Sequence, residues 1–243
     1  MKRMFIFFAT LWLGVMGASA QVDNCDVNGD GEVNISDVIY VVDHILGQGH
    51  ASTPTVVTGE AIDLGLPSKT KWASCNVGAT KPEEYGGYYA WGETEEKETY
   101  TWESYIHWVW VGSYYNLLDL GSDISGTDYD VAHVTWGGDW VMPTYDDFEE
   151  LFDNCDYEWT TLNGVDGMKF TSKTNGNSIF LPAAGYRWEG ILDLVGSWGL
   201  YWSSTQYLDS SSYANFLFFD SRSAHWESYN RCLGESVRPV ARN

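Results

Sequence analysis

The sequence predicts an irregular, strand-dominated domain of the α+β class, preceded by a short loop-helix unit. Seven short β-like runs follow residue 60 and alternate with turn-rich segments. An Asn175-Gly176 pair separates the third run from the fourth, and this pair favours the positive backbone angles of a tight hairpin turn. One amphipathic helical pattern lies among the runs. The runs are residues 71–74, 87–91, 167–172, 178–181, 200–204, 214–220 and 236–241.

Residues 1–20 have the pattern of a cleaved signal peptide. Lys2 and Arg3 precede a mainly apolar run over residues 4–15, and Gly17-Ala-Ser-Ala20 supplies the small residues of a cleavage site before Gln21. The alternative is a retained membrane anchor, but the run falls short of the ~20 apolar residues that a spanning helix needs. We therefore expect a secreted protein that is extracellular, held at the cell surface or periplasmic, with no transmembrane segment after cleavage.

The charge balance excludes one class of partner. The chain has 34 Asp and Glu against 13 Lys and Arg, a formal net charge of -21. Such acidity repels phosphate backbones, so we do not expect nucleic acid binding. The 16% aromatic content in turn predicts a packed core rather than a disordered chain.

Residues 26–37 follow the spacing of a calcium-binding EF-hand loop. Oxygen-bearing side chains occupy loop positions 1, 3, 5, 9 and 12, Gly31 occupies position 6, and Glu32 offers its backbone carbonyl at position 7. Ca²⁺ takes six to eight oxygen ligands, which this alternation supplies. The alternative is an Asp/Asn/Gly-rich turn that binds no ion. The predicted Ca²⁺ ligands are Asp26, Asn28, Asp30, Glu32, Asn34 and Asp37.

Residues 51–59 are small, polar and β-branched, with one proline and a terminal glycine, which is typical of a linker. This linker divides the mature chain into a calcium unit at residues 21–50 and a large domain at residues 60–243.

The helix over residues 144–155 carries its own start signal. Thr144 can cap the helix together with Asp147 three residues later, and Pro143 precedes it. One face is apolar at helical spacing, which predicts a structural helix packed on the core. That face consists of Phe148, Leu151, Phe152 and Cys155.

The four cysteines allow three complete disulfide pairings, and spacing does not choose among them. Oxidising conditions outside the cell would permit a bridge, and we expect one between Cys75 and Cys155. A structural role is predicted for these thiols rather than a catalytic one.

Aromatic side chains in loops are the candidate ligand contacts. Flat aromatic faces pack against the apolar faces of sugar rings, while polar groups set the orientation. The alternative is core packing, which we expect for Trp72, Trp91, Trp136, Trp140 and Trp202. The candidate ligand-binding residues are Trp108, Trp110, Trp188, Tyr207 and Trp226.

No catalytic constellation stands out. The five histidines form no H-E-x-x-H motif, and among 34 acidic residues some carboxylate pair is inevitable, so no pair is singled out for glycoside hydrolysis. Catalytic residues are therefore not predicted. Arg187 and Arg238 are expected to form structural ion pairs.

The calcium loop and the helix pattern after it resemble one dockerin type I repeat over residues 25–47. Val38, Val42, Ile45 and Leu46 follow at helical spacing, and Gly47 ends the pattern. The resemblance implies Ca²⁺ at the loop positions named above and, in paired repeats, docking onto a cohesin. The sequence contains one such repeat, whereas a dockerin normally pairs two.

The large domain resembles the Fibrobacter succinogenes major paralogous domain, a module of exported Bacteroidetes proteins, over about residues 60–241. The resemblance rests on the segments that begin at Ile62, Trp72, Tyr85, Val134, Leu181, Tyr201 and Gly234. It implies a C-type-lectin-like (formylglycine-generating-enzyme-like) fold with short twisted strands and long loops. Formylglycine oxidation itself requires neighbouring cysteines, which this domain lacks, so that activity is not carried over.

These observations lead to two expectations for function. The first is a secreted or cell-surface calcium-binding protein with a lectin-like module for a polysaccharide or a surface protein. The second is a dockerin-tethered component of a polysaccharide-degrading assembly, with cohesin as its partner. This second expectation includes glycoside hydrolase activity of the large domain.

Overall fold

The fold is known from a computed structural model that describes Val41, residues 58–112 and residues 114–242. The chain divides into two compact units, Met1–Thr55 and Val56–Asn243. The boundary between them falls inside the predicted linker. The description below concerns the second unit, because the predicted signal peptide and calcium loop lie outside the described residues.

The described residues form a mostly β structure with two short helices, in agreement with the predicted α+β class. Every strand pair is antiparallel. The helices are α1 (Val131–Trp136) and α2 (Tyr145–Asn154). The strands are β1 (Ala61–Ile62), β2 (Lys71–Ala73), β3 (Trp108–Val111), β4 (Tyr114–Leu117), β5 (Trp140–Val141), β6 (Cys155–Leu162), β7 (Val165–Ser172), β8 (Ser178–Pro182), β9 (Tyr186–Trp188), β10 (Ile191–Asp193), β11 (Gly199–Gln206), β12 (Tyr213–Phe219), β13 (Ala224–Asn230) and β14 (Val240–Ala241).

Within residues 58–112 and 114–242 the strands assemble into five small sheets. Two sheets have three strands in sequence order, β6-β7-β8 and β11-β12-β13, and two are the hairpins β3-β4 and β9-β10. The fifth sheet has the order β1-β2-β14-β5, so the last strand of the chain lies between β2 and β5. This arrangement ties the two ends of the domain together.

Strands β11 and β12 are covered by core on both faces. Trp202 lies opposite Phe216, and Tyr201 lies opposite Leu217. Because successive strand residues point to opposite faces, the two pairs enter two different apolar clusters. This double burial leaves the first six residues of β11 buried. The second cluster also receives Trp72, Phe148 and Phe170, and a third cluster contains Tyr88, Tyr100, Tyr105 and Cys232.

Most predicted strands are confirmed. The runs at 71–74, 167–172, 178–181, 200–204 and 214–220 coincide with β2, β7, β8, β11 and β12, and the predicted hairpin turn joins β7 to β8 with Gly176 at φ 77°. Residues 87–91 form only an isolated bridge between Tyr89 and Glu235, and the 236–241 run is a strand only at its end. Tyr89 and Ser236 each pair with a distant residue at a single position.

The predicted helix is confirmed as α2, including its cap. Thr144 and Asp147 make the reciprocal hydrogen bonds of a capping box, and Phe148 and Leu151 are buried against the core. The helix ends one residue earlier than predicted, because Cys155 begins β6. The five tryptophans expected in the core also lie there, with Trp140 half-buried and the other four buried.

The expected disulfide between Cys75 and Cys155 is wrong. Both residues are buried and free, and they belong to different apolar clusters, as Cys232 does to a third. Burial raises the pKa of the Cys155 thiol to about 11 and that of Cys232 to about 12, so neither is a ready nucleophile at neutral pH. A structural role for these thiols agrees with the expectation from sequence.

The expected ion pairs of Arg187 and Arg238 are also wrong. Arg187 stacks over the Tyr88 ring, 5.2 Å from its centroid. The fully buried Arg238 donates to Asn76 Oδ1 at 2.8 Å and to two backbone carbonyls, and no carboxylate among the described residues pairs with it. Uncharged acceptors therefore hold this guanidinium in place.

Gly185, directly before β9, lies against the backbone at the end of β10 and in the loop after it. Its φ is +65°, and an added Cβ would overlap the carbonyl oxygen of Asp193 and the backbone nitrogen of Val195. We expect Gly185→Ala to lower the free energy of unfolding by about 2–3 kcal/mol through backbone strain and overpacking, measured by urea denaturation. Gly176→Ala is the control, because φ there is +77° but the space is open. Its expected cost is about 1 kcal/mol, and equal losses in both variants would contradict the overlap.

Candidate functional site

An open cavity of about 590 Å³ lies where the start of α2 meets the end of β11. Two tyrosines share its wall with three aspartates, two amide side chains and several hydroxyls. We call it the tyrosine cavity. Its lining residues are Ser122, Asp123, Thr144, Tyr145, Asp146, Thr205, Gln206, Tyr207, Leu208, Asp209 and Asn215.

Hydrogen bonds fix the walls of the tyrosine cavity to one another. The Tyr145 backbone N–H donates to Thr205 Oγ1 at 3.0 Å, which fastens the first turn of α2 to β11. The Gln206 N–H donates to the Ser122 carbonyl at 2.9 Å and so attaches the third wall. The β11-β12 register shifts between Trp202 and Gln206, and such irregularities re-aim side chains at the end of a strand. Hydrogen bonds of the backbone therefore hold the segments of the cavity wall together.

The ring of Tyr145 is supported from behind by Trp226. The two ring centroids are 4.3 Å apart with an interplanar angle of 37°. Trp226 is half-buried and also packs edge-on against Phe148, which is fully buried. This support orders the Tyr145 face before any ligand binds.

Tyr207 forms the other aromatic wall. Its hydroxyl donates to Asp209 Oδ2 at 3.2 Å, and this carboxylate raises the pKa of the phenol. Its ring lies 6.4 Å from that of Tyr213, which in turn lies 5.9 Å from that of Tyr229. Tyr207, Tyr213 on β12 and Tyr229 on β13 therefore form a row that begins at the cavity.

The charged side chains of the cavity wall are all acidic. Asp123, Asp146 and Asp209 line it, and none of the lining residues is Lys, Arg or His. Coulomb repulsion therefore disfavours anionic ligands at this wall. An uncharged ligand experiences no net charge interaction there, and a cation is attracted.

A buried arginine stands behind this wall. Arg231 is fully buried, lies over the Trp91 ring at 4.5 Å from its centroid, and donates from Nη2 to Gln206 Oε1 at 3.3 Å. Its Nε and Nη1 have no partner among the described residues. Burial lowers the pKa of this guanidinium, which nevertheless stays protonated. Sequence reasoning missed Arg231, because no local pattern marks it.

The structure does not gather the predicted aromatic residues on one surface. Tyr207 lines the tyrosine cavity, and Trp226 supports it. Trp108 packs against Trp102 at 5.4 Å, and Trp188 is half-buried against the first and third apolar clusters. Trp110 lies in β3, but its side chain is outside the described part of the chain.

A second cavity of about 490 Å³ lies beside β1 and the β6-β7-β8 sheet. Phe180 is its one aromatic lining residue and is only 5% exposed, and no tyrosine or tryptophan lines it. The tyrosine cavity is therefore the better candidate site of the two for a ligand that stacks on aromatic rings.

The predicted Ca²⁺ ligands, Asp26 to Asp37, lie outside the described residues. Within residues 58–112 and 114–242, no group of three or more His, Cys, Asp or Glu side chains is placed to hold a metal ion. The helices of this same region include none that is long and apolar enough to cross a membrane.

Comparison with known families identifies one match. A family model described as a domain of unknown function (DUF8237) matches residues 157–240, less than half of the 243-residue chain. The matched segment contains Gln206, Tyr207 and Arg231 but not Tyr145, so it covers one wall of the tyrosine cavity. No curated protein and no solved structure matches the chain.

Proposed function

We propose that the chain is a secreted or cell-surface protein whose C-type-lectin-like domain binds a polysaccharide in the tyrosine cavity. One observation carries the proposal: two tyrosine rings and a set of carboxylate and amide groups share the wall of one open cavity. Small-ligand sites commonly have volumes of about 300–1,000 Å³, with apolar walls and a few convergent polar groups. A cavity of about 590 Å³ falls within that range.

The wall has the chemistry that a sugar ring requires. Each pyranose has an apolar face that packs on an aromatic ring, and hydroxyls at its rim that exchange hydrogen bonds with carboxylates and amides. Tyr145 and Tyr207 supply the rings. Asp146, Asp209 and Asn215 supply polar groups beside them.

The row of tyrosines favours a chain of sugars over a single sugar. Tyr213 and Tyr229 continue from Tyr207 at ring spacings of 6.4 and 5.9 Å. A longer oligosaccharide can use these rings in turn, so affinity should rise with chain length.

In this proposal the N-terminal unit binds Ca²⁺ and attaches the protein to its assembly partner. The EF-hand spacing of residues 26–37 supports Ca²⁺ binding, which would fold that unit, since a single loop and helix bury little apolar surface. The dockerin resemblance supports tethering through the following helix to a cohesin. A surface protein is the partner to seek if no glycan binds.

The test is a polysaccharide and oligosaccharide binding screen on the mature protein, with and without calcium. For a glycan that binds, we expect Tyr207→Ala to weaken affinity at least about tenfold, because one stacking face is lost. Tyr207 is half-buried, so the fold should survive this change. Isothermal titration calorimetry gives the affinities.

Tyr157→Ala is the matched control, since Tyr157 is a 47% exposed tyrosine on β6 outside the cavity. It should bind as the wild type does. Equal affinity of the Tyr207→Ala variant and the wild type would exclude the tyrosine cavity as the site, and a screen without any binding would contradict the proposed function.

A further inference from the structure

Arg231 is a buried charge with an incomplete set of partners. Its side chain is fully buried, two of its three nitrogens lack an acceptor among the described residues, and Gln206 Oε1 is the one side-chain oxygen that accepts from it. Buried charges are ordinarily paired with an opposite charge or with several acceptors. The carboxamide of Gln206 is therefore held by a strong donor.

This contact determines which way the Gln206 amide points. A guanidinium has five N–H donors and no acceptor, so only the carbonyl oxygen of an amide can face it. The Nε2 group of Gln206 must then point away from Arg231. Gln206 lines the tyrosine cavity, and no described group accepts a hydrogen bond from its Nε2. With Oε1 turned to Arg231, Nε2 is the part of this cavity-lining side chain that is left to donate to a ligand.

We propose that Gln206, positioned by Arg231, is the specificity-determining donor of the tyrosine cavity, and that the cavity selects uncharged sugars. The proposal rests on the proposed function and names the ligand class of the same site. The ligand offers an acceptor oxygen, from a ring hydroxyl or an N-acetyl carbonyl, to Gln206 Nε2.

The charges of the wall exclude acidic sugars. Asp123, Asp146 and Asp209 line the cavity without a compensating cationic side chain in the lining. Of the cations near the wall, Arg231 is fully buried behind Gln206, and Arg242 is already paired with Asp147 at 2.6 Å. A uronic acid or a sulfated sugar would bring a like charge into this wall, which disfavours its binding.

The decisive variant is Gln206→Glu. It removes the Nε2 donor and at the same time gives Arg231 a carboxylate partner. The probes are cellohexaose, xylohexaose and mannohexaose, with hexagalacturonate as the acidic counterpart. For the neutral hexasaccharide that binds the wild type, we expect at least a tenfold loss of affinity, while the midpoint of thermal unfolding rises by about 2–4 °C.

Two further variants separate the loss of the Nε2 donor from the addition of a negative charge. Gln206→Met also removes the donor but leaves Arg231 without Oε1, so it should lose the affinity and lower the unfolding midpoint. Ser211→Asp adds one negative charge at an exposed residue near the cavity but outside its lining, and its affinity for the neutral probe should change less than about threefold, since an uncharged ligand has no net Coulomb interaction.

The outcomes are distinguishable. Unchanged affinity of the Gln206→Glu variant, or wild-type binding of hexagalacturonate as tight as of the neutral probe, overturns the inference while leaving the proposed function intact. If no probe binds the wild type, the proposed function fails. In that case, an unchanged or lower unfolding midpoint of the Gln206→Glu variant overturns the Arg231 contact as well.

Discussion

Replacement of Arg238 by methionine is expected to lower the free energy of unfolding by about 3–5 kcal/mol, the largest loss that we predict for a single side chain. The guanidinium donates to Asn76 Oδ1 at 2.8 Å, to the Ala73 carbonyl at 3.2 Å and to the Phe180 carbonyl at 2.9 Å. Methionine fills a similar volume but donates nothing. Three acceptors in the core would then lose a charged donor at once.

The effect should be measured by urea denaturation of the full mature protein, followed by tryptophan fluorescence. Lys81→Met is the control, because the Lys81 side chain is 64% exposed and its ion pair with Glu84, at 4.0 Å, lies at the surface. Such pairs contribute about 0–1 kcal/mol. If the two variants unfold at the same urea concentration, Arg238 does not hold β2 and β8 together as its contacts indicate.

Glu235 makes the stability of the fold depend on pH. The residue is fully buried, and neither of its carboxyl oxygens has a hydrogen-bond partner among the described residues. Its backbone pairs with Tyr89 in both directions, at 3.1 and 3.0 Å, so the residue cannot swing out easily. Burial without a partner raises the pKa of this carboxyl well above its usual range.

The sign of the effect follows from proton binding. In the unfolded chain a glutamate has a pKa of about 4.3, so between that value and the raised pKa the folded state holds one proton more than the unfolded state. The contribution of Glu235 to stability is full below the unfolded pKa and is lost as the pH rises toward the folded pKa. The loss is about 1.4 kcal/mol for each pH unit in this window.

We therefore expect the Glu235→Gln variant to lack the part of the decline in unfolding free energy with rising pH that Glu235 causes, since glutamine does not titrate. The measurement is the free energy of unfolding of wild type and variant at several pH values from 5 upward. Glu158→Gln is the control, because the Glu158 side chain is 66% exposed, and it should keep the wild-type decline. Parallel curves for wild type and the Glu235→Gln variant would show that Glu235 is already ionised in the folded protein.

Local signals in the sequence were sufficient for several elements. The capping box of α2 needs only Thr144 and Asp147, three residues apart, and the β7-β8 hairpin needs only Asn175-Gly176 between two β-like runs. These features form within one short segment, so the residues that determine them are neighbours in the chain. The core tryptophans were predictable for a related reason, because large rings in apolar runs are rarely left in water.

Elements with mixed exposure were missed. After Cys155 the residues of β6 are all exposed or half-buried, those of β13 alternate between half-buried and exposed, and both strands include polar side chains. Their strand state depends on pairing with β7 and β12, which lie on the same sheets. Trp226 on β13 was singled out from the sequence, but its role behind Tyr145 follows only from the packing of β13 against α2.

By itself the sequence determined the strand-rich class, the capped helix and one wall aromatic of the candidate site, Tyr207. Only the tertiary structure decided that Tyr145 faces the same cavity, that Arg231 reaches Gln206 and that Arg238 is held by Asn76 across 162 positions of the chain. It also left Cys75 and Cys155 in separate clusters. The physical reason is that helix caps and tight turns are satisfied by near neighbours, whereas a buried charge, a thiol or a cavity wall is defined by whichever distant segments the packed core brings beside it.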